Sequence, residues 1–450
     1  METVIGILLI LSFVGLAIYA AKGGNLTMGM LLIGTIWSVL ALLGNILVTN
    51  EAFRAANESV MSMSWLDIVT KTFQSGPEGW GTLLVNVVFG AWFGQTILQT
   101  GIAATIIKKT VELGGDRPTL TCILLSIACT LIFSAIYSPG AVIAIALIVL
   151  PIMLSIGISK TMATVAFVGS VGAGMYLNPV IFNQYYAYFT DMQGAGEFTF
   201  QRYYPLGITA AIIQLVILFV VIIFGTRGKK AAYAWAVEAP SENAQAPLIS
   251  LITPIVPVLL LLLFKIPIIP GFLIGGFYAY LTTGKMKEGF AAVANMFSKD
   301  FTNGVAETAP VVSFLLAVTF LNAASSLCGP YFNALLGNII PESQLILTII
   351  FIIIVPFAFF RGPLSLVGSG AATLAILKSV GYFSIDFLFP LMVIPTITIT
   401  ISSCISQSWT AWTLGYTKIS IKDFLKITLP FGWIVCAILY ILNYARVGLF

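Results

Sequence analysis

Histidine is absent from this 450-residue chain. That removes His-based catalytic triads, His metal sites and His proton relays together. Charge is scarce too: 8% of the residues are Asp, Glu, Lys or Arg, where a soluble domain carries roughly a quarter. The five cysteines (Cys122, Cys129, Cys328, Cys404 and Cys436) all lie in apolar runs, with neither metal-ligand spacing nor a disulfide framework. They read as small core residues. No nucleotide-binding loop is present, so direct ATP drive has no support, and no nucleic-acid partner is indicated. Without His, and without an acid pair buried on one helix face, an enzyme is not expected.

What the chain has in quantity is apolar residue: 59% is hydrophobic, and many runs reach the ~20 residues that cross a bilayer as helix. The run Val4–Ala20 lacks the basic start of a signal peptide, Glu2 being the charge that precedes it, and reads as a retained helix. The expectation is an all-α, multi-pass integral membrane protein, with the lipid bilayer as its solvent.

The order of features recurs about 224 positions later in the chain, the signature of a transporter built from two repeats. Thr96–Gln99 (Thr-Ile-Leu-Gln) returns as Thr319–Asn322 (Thr-Phe-Leu-Asn). The break at Tyr137-Ser138-Pro139-Gly140 returns as Arg361-Gly362-Pro363-Leu364-Ser365. Asn178-Pro179, leading to Asn183-Gln184, returns as Ser402-Ser403-Cys404, leading to Gln407-Ser408.

From this order we read a first repeat over 1–226. It has scaffold helices within 1–107 (3–20, 27–48, an amphipathic stretch 51–78, and 80–107), a polar link Lys108–Pro118, a hairpin at 119–157, a broken helix at 162–190 and a helix at 205–226. A cytoplasmic linker follows at 227–247. The second repeat, 248–450, has helices at 248–264 and 267–283, an amphipathic stretch 285–306, a helix at 309–335, a hairpin at 343–378, a broken helix at 385–415 and a last helix at 429–446. Hairpin arms of about fifteen residues are short for a crossing, which favours re-entrant hairpins. Each repeat then crosses five times, and an odd number inverts one repeat relative to the other.

Charge placement agrees with an outside N-terminus. The inner segments then hold fourteen basic residues: Lys22, Lys108, Lys109, Arg117, Lys160, Arg227, Lys229, Lys230, Lys285, Lys287, Lys299, Lys418, Lys422 and Lys426. The outer segments hold six: Arg54, Lys71, Arg202, Lys265, Lys378 and Arg446. This is the positive-inside asymmetry.

Arg361 stands in an otherwise uncharged stretch, where a charge costs on the order of 3 kcal/mol and normally faces a cavity or a partner. Its planar fork suits a carboxylate; the alternatives are snorkelling to the outer surface or pairing with a structural carboxylate such as Asp386. Gly140, Gly362, Gly368 and Gly370 allow close backbone approach at the two breaks, Pro139 and Pro363 interrupt the helices, and Ser138, Ser365 and Ser369 add hydroxyls. Half-helix termini there can face an anion or a cation; the same residues also suit tight helix packing. Asn178, Asn183 and Gln184, with Ser402, Ser403, Ser406, Gln407 and Ser408, form a second polar set that either binds substrate or bonds neighbouring helices. For Gln95, Gln99 and Asn322 the structural role leads. Tyr185–Phe189 reads as an interfacial aromatic belt. Glu307 and Asp386 are the acids nearest mid-membrane, and any metal site is unknown.

The stretch Gly79–Ser159, with Val88–Gly94, Thr100-Gly101, Ile132–Tyr137 and Ile148–Pro151, resembles the gluconate-permease pattern. Phe297–Ala317 is similar to citrate and C4-dicarboxylate permeases of the wider ion transporter superfamily. Two departures stand out: Ser138 occupies a tip position where gluconate permeases usually carry an acid, and the Pro-Trp-Gly-Gly-Pro signature of citrate permeases is missing after Pro179. The resemblance implies a scaffold with two hairpin-bearing transport domains, often as a homodimer, moving a small organic anion (a carboxylate or sugar acid) with Na+ or H+ and no other cofactor. A sodium/proton antiporter of the same superfamily is the alternative.

Overall fold

The computed structural model describes residues 1–115, 117–226, 246–405 and 407–445. All of the linker except Ala246 and Pro247 lies outside the described residues, as do Ser406 and Arg446. Every regular element among the described residues is helical.

The scaffold of the first half comprises α1 (Glu2–Ala21), α2 (Leu26–Leu47) and α3 (Trp65–Gln99). Asn25 caps α2 by accepting from Met28 N–H at 3.1 Å. A helix α4 (Ile102–Gly114) follows Gly101, whose φ of 73° ends α3. Next come α5 (Pro118–Phe133) and α6 (Pro139–Ser155), then α7 (Lys160–Met175) and α8 (Pro179–Phe189), and then α9 (Phe200–Thr226). The second half runs α10 (Leu248–Phe264), α11 (Ile268–Thr282), α12 (Phe290–Leu336), α13 (Gln344–Arg361), α14 (Gly370–Ser379), α15 (Ile385–Ile401), α16 (Ser408–Thr417) and α17 (Ile421–Ala445).

Among the described residues, seven helices are long and apolar enough to span a membrane, and an eighth if the bent pair α7–α8 is one span. One of these is the hairpin arm α13, so length alone gives fewer crossings than the ten expected: α10 and α11 have only 17 and 15 residues and α15 has 17. Large apolar side chains face outward, among them Leu11, Ile46, Ile353 and Ile441, each more than half exposed. In water that would be costly; against lipid tails it is the ordinary condition of a membrane protein.

Several boundaries correct the sequence reading. The helix expected at 80–107 begins at Trp65 and breaks at Thr100-Gly101, so the second half of the amphipathic stretch before it belongs to α3. The polar link Lys108–Pro118 is mostly helix, because Lys108–Gly114 complete α4. The elements expected at 285–306 and 309–335 are one helix of 47 residues, α12, which keeps Pro310 and Pro330 inside it. At 1.5 Å per residue α12 is roughly 70 Å long, more than twice a hydrocarbon core. The helix expected at 205 starts at Phe200, and the last helix starts at Ile421 rather than 429.

The breaks fall where Pro and polar caps stand together. Ser138 is extended, caps α6 by accepting from Ala141 N–H at 3.1 Å, and is followed by Pro139 at the first helical position. Asn178 does the same for α8: its Oδ1 accepts from Val180 and Ile181 N–H, Pro179 follows, and α7 and α8 meet at a bend of 68°. The two broken helices pack antiparallel. Thr164 near the start of α7 bonds Thr417 at the end of α16 at 3.1 Å, Tyr176 at the first break bonds Thr398, and Phe182 stacks near Phe389.

Candidate functional site

Hairpin 1 (α5–α6) adjoins the Lys160 end of the α7–α8 pair. Hairpin 2 (α13–α14) is tied to its opposite end, where Lys378 pairs with Asp191 and donates to the Tyr188 carbonyl at 3.0 Å. The tips thus come from opposite ends of one broken helix and meet at a cavity of ≈ 260 Å³. Its lining includes Tyr137 and Pro139 from tip 1, Arg361 and Val367 from tip 2, and Gln184, Gln407, Ser408 and Trp409 from the broken helices; Thr27 and Pro310 of the scaffold close it. A second cavity of ≈ 340 Å³, lined by Gly23, Gly24, Leu26, Phe360, Arg361 and Ile405, adjoins the first. Arg361 and Leu26 line both and so stand in the wall between them.

Tip 2 is held in an unusual shape. Phe360 and Arg361 both have left-handed backbone, φ 55° and 57°, which costs about 1–2 kcal/mol for a residue other than glycine. Neighbouring elements hold the strain in place. Thr400 Oγ1 donates to the Ala358 carbonyl at 3.0 Å, Leu366 N–H donates to Thr396 Oγ1 at 2.9 Å, and Tyr188 O–H donates to the Leu366 carbonyl at 2.9 Å. Ser369 N–H returns to the Arg361 carbonyl at 3.0 Å. Gly368 permits this closure, since a Cβ there would lie 1.9 Å from that carbonyl oxygen. Persistent local strain of this kind clusters at ligand sites.

Buried polar atoms without a hydrogen-bond partner mark the same region. They include Ser365 Oγ and Ser369 Oγ in tip 2, Gln184 Oε1, Trp409 Nε1 and Thr410 Oγ1. Such orphans are uncommon in folded proteins and call for an explanation. A bound ligand with both acceptors and hydroxyls would satisfy them: Trp409 Nε1–H and the Arg361 guanidinium donate, whereas Gln184 Oε1 accepts.

The residues singled out from sequence divide accordingly. Arg361, Gln184, Gln407 and Ser408 line the cavity. Ser138, Gly140, Gly362, Ser365 and Ser369 belong to the two tips around it. Asn178 is fully engaged in capping α8 and in donating to the Phe133 carbonyl at 3.1 Å. Ser403 Oγ, in the break after α15, donates back to the Thr398 carbonyl of α15. Asn183 is not among the lining residues. Ser402 bonds Gln214, which also receives from Thr398, a helix-to-helix role. Asp386 pairs with Arg202 at 2.7 Å, not with Arg361. Tyr185, Tyr188 and Phe189 are buried rather than spread over an interface, which replaces the aromatic-belt reading.

Sequence reading missed Tyr137 and Trp409, and it underrated two acids. Glu307 of α12 accepts from Ser138 Oγ at 2.6 Å, so tip 1 does have a carboxylate, supplied by another helix. Asp300, seven residues earlier and therefore on nearly the same helix face, is 1% exposed and accepts from Tyr280 O–H at 2.8 Å. The two acids share one face of a helix taken from sequence to be a surface stretch and a separate span. A larger cavity of ≈ 680 Å³ lies beside Asp191, Arg202, Lys378 and Asp386, but these four charges already form two ion pairs.

No protein-family model and no curated protein matches the sequence. Among solved structures, the YdaH transporter of Alcanivorax borkumensis, whose topology is described as unusual, is similar with a TM-score of 0.65. The match covers 93% of this chain and 98% of that one at 14% identity. The likeness shows the fold: an all-helical architecture with broken and re-entrant helices. It gives no support specific to gluconate, citrate or C4-dicarboxylate permeases.

Proposed function

We propose that the chain is a cation-coupled secondary transporter of a small organic anion, a carboxylate or sugar acid. It works by alternating access, with the anion held between the two hairpin tips and the two broken helices. The observation that carries this reading is the position of Arg361, on a strained tip and in the wall of a cavity surrounded by unpartnered buried donors and hydroxyls. A planar guanidinium matches a carboxylate at two points, and Gln184 Oε1 can take a substrate hydroxyl. The YdaH likeness supports transport at the level of fold.

The fourteen-to-six bias of Lys and Arg supports an outside N-terminus, inverted repeats and a cytoplasmic loop at Lys22–Asn25. In that orientation the cavity beside Gly23 and Gly24 leads from Arg361 to the cytoplasm, an inward-facing state. A bacterial membrane and a homodimer complete the reading, on the permease resemblance.

A second reading, a sodium/proton antiporter, is favoured by one observation: Glu307 places a carboxylate at tip 1. Purified protein in proteoliposomes, with Na+ and pH gradients imposed separately, separates the two. The leading reading predicts uptake of a labelled organic acid driven by one of the gradients. Coupled Na+ and H+ flux with no organic acid moved would overturn it.

A further inference from the structure

Tip 1 contacts a carboxyl group supplied by another helix. Ser138 does two things at once: its oxygen accepts from Ala141 N–H at the start of α6, and its proton goes to Glu307 Oε2. The 2.6 Å separation lies in the range of a hydroxyl bonded to an ionised carboxylate. Gly140, the second residue of α6, leaves the space that the carboxyl fills. A Cβ there would stand 2.5 Å from the Glu307 carboxyl carbon and 2.6 and 2.7 Å from its oxygens. The carboxyl therefore lies against the start of a 17-residue helix, where partial positive charge favours an anion. It also joins two bodies that the sequence separates by 169 positions: scaffold helix α12 and the hairpin.

We propose that Glu307 is a latch between tip 1 and α12 that a proton must release before the hairpin can move, so that one proton is the coupling ion. The proposal rests on the transporter reading of the cavity. In its charged form Glu307 latches the hairpin to α12. A proton from water on the proton-rich side adds to the carboxylate, the ionic part of the Ser138 bond is lost, and hairpin 1 is freed to move relative to α12. After the anion leaves, the proton dissociates to water on the other side. One O–H bond forms and breaks, and nothing is oxidised or reduced.

Few other charged groups stand near Glu307. Helices α2 and α6, packed against α12, carry no ionisable side chain, and those of α3 (Asp67, Lys71 and Glu78) stand in its first turns. Lys378 is at the far end of α14, and Glu2 and Tyr19 lie near the two ends of α1. On α12 itself, Lys299 and Asp300 are two turns away. Across the cavity the ionisable neighbours are Tyr137 and Arg361.

The test is hydrogen–deuterium exchange of the 130–142 segment in the full-length protein at pH 5.5 and 8.5, corrected for intrinsic rates. In the wild type the tip should be protected at pH 8.5 and exchange about tenfold faster at pH 5.5, as a local opening would produce. Glu307→Gln should be fast at both. Should that variant fail to fold, Ser138→Ala, which removes the donor instead, should also flatten the pH response. A wild-type tip exchanging alike at both pH values would overturn the proposal. A parallel assay uses proteoliposomes with labelled acetate, succinate, citrate and gluconate. Glu307→Gln should exchange the transported acid across the membrane but lose accumulation driven by a pH gradient. Accumulation driven by Na+ alone would overturn proton coupling. If the wild type moves none of the four, the transporter reading fails for them, while the exchange experiment still decides the latch.

Discussion

Arg361 combines three features that seldom coincide: a half-buried guanidinium, a left-handed backbone and a place in the wall of two cavities. If the fork clamps a carboxylate, Arg361→Lys keeps the charge but loses the planar pair of donors and should reduce uptake sharply. Arg361→Ala should cost about 2–5 kcal/mol of anion affinity, the range for truncating one member of a buried charge pair. Expression should change much less, because apolar arms pack the hairpin. Uptake kinetics and a detergent melting curve, measured together, check both halves. Arg361 was legible in the sequence because a lone charge among apolar residues is conspicuous. Glu307 was harder to place, since its partner Ser138 is 169 residues away and no local pattern carries that contact. Asn178 shows the reverse case: a mid-membrane amide that suggested ligand binding is used up on the helix start it caps and a carbonyl of the neighbouring hairpin.

Helix breaks were the elements best written in the sequence, because a missing N–H at Pro and a capping side chain act locally. Ser138-Pro139 and Asn178-Pro179 break the chain as expected. Pro310 does not, and α12 runs through it. Its neighbours hold the helix together over a length that propensity alone would not predict, which is why two expected elements became one. Among the tips, hairpin 2 depends most on one small residue. A methyl at Gly368 would meet the Arg361 carbonyl at 1.9 Å. Gly368→Ala should destabilise the protein by about 1–3 kcal/mol, the usual range for overpacking, and reduce transport at least tenfold as tip 2 moves Arg361. Melting temperature and uptake together check this: wild-type uptake by Gly368→Ala would show that the closed tip is dispensable.

Among the described residues the two broken helices lie antiparallel, the arrangement that inverted repeats would produce. Membrane orientation can be read with single cysteines, because all five native ones are buried. Gln193→Cys, exposed beyond α8, should react with an impermeant maleimide from outside. Glu112→Cys near the end of α4 should react only from inside. Labelling of both from the same side would remove the proposed topology. The account centres on an organic anion held where the two tips meet. The most direct measurement is a cryo-EM map of the protein saturated with an acid it transports. The account predicts ligand density between Arg361, Trp409, Gln184 and Gln407. Density lodged beside Lys378 and Arg202 instead, with the tip cavity empty, would contradict it.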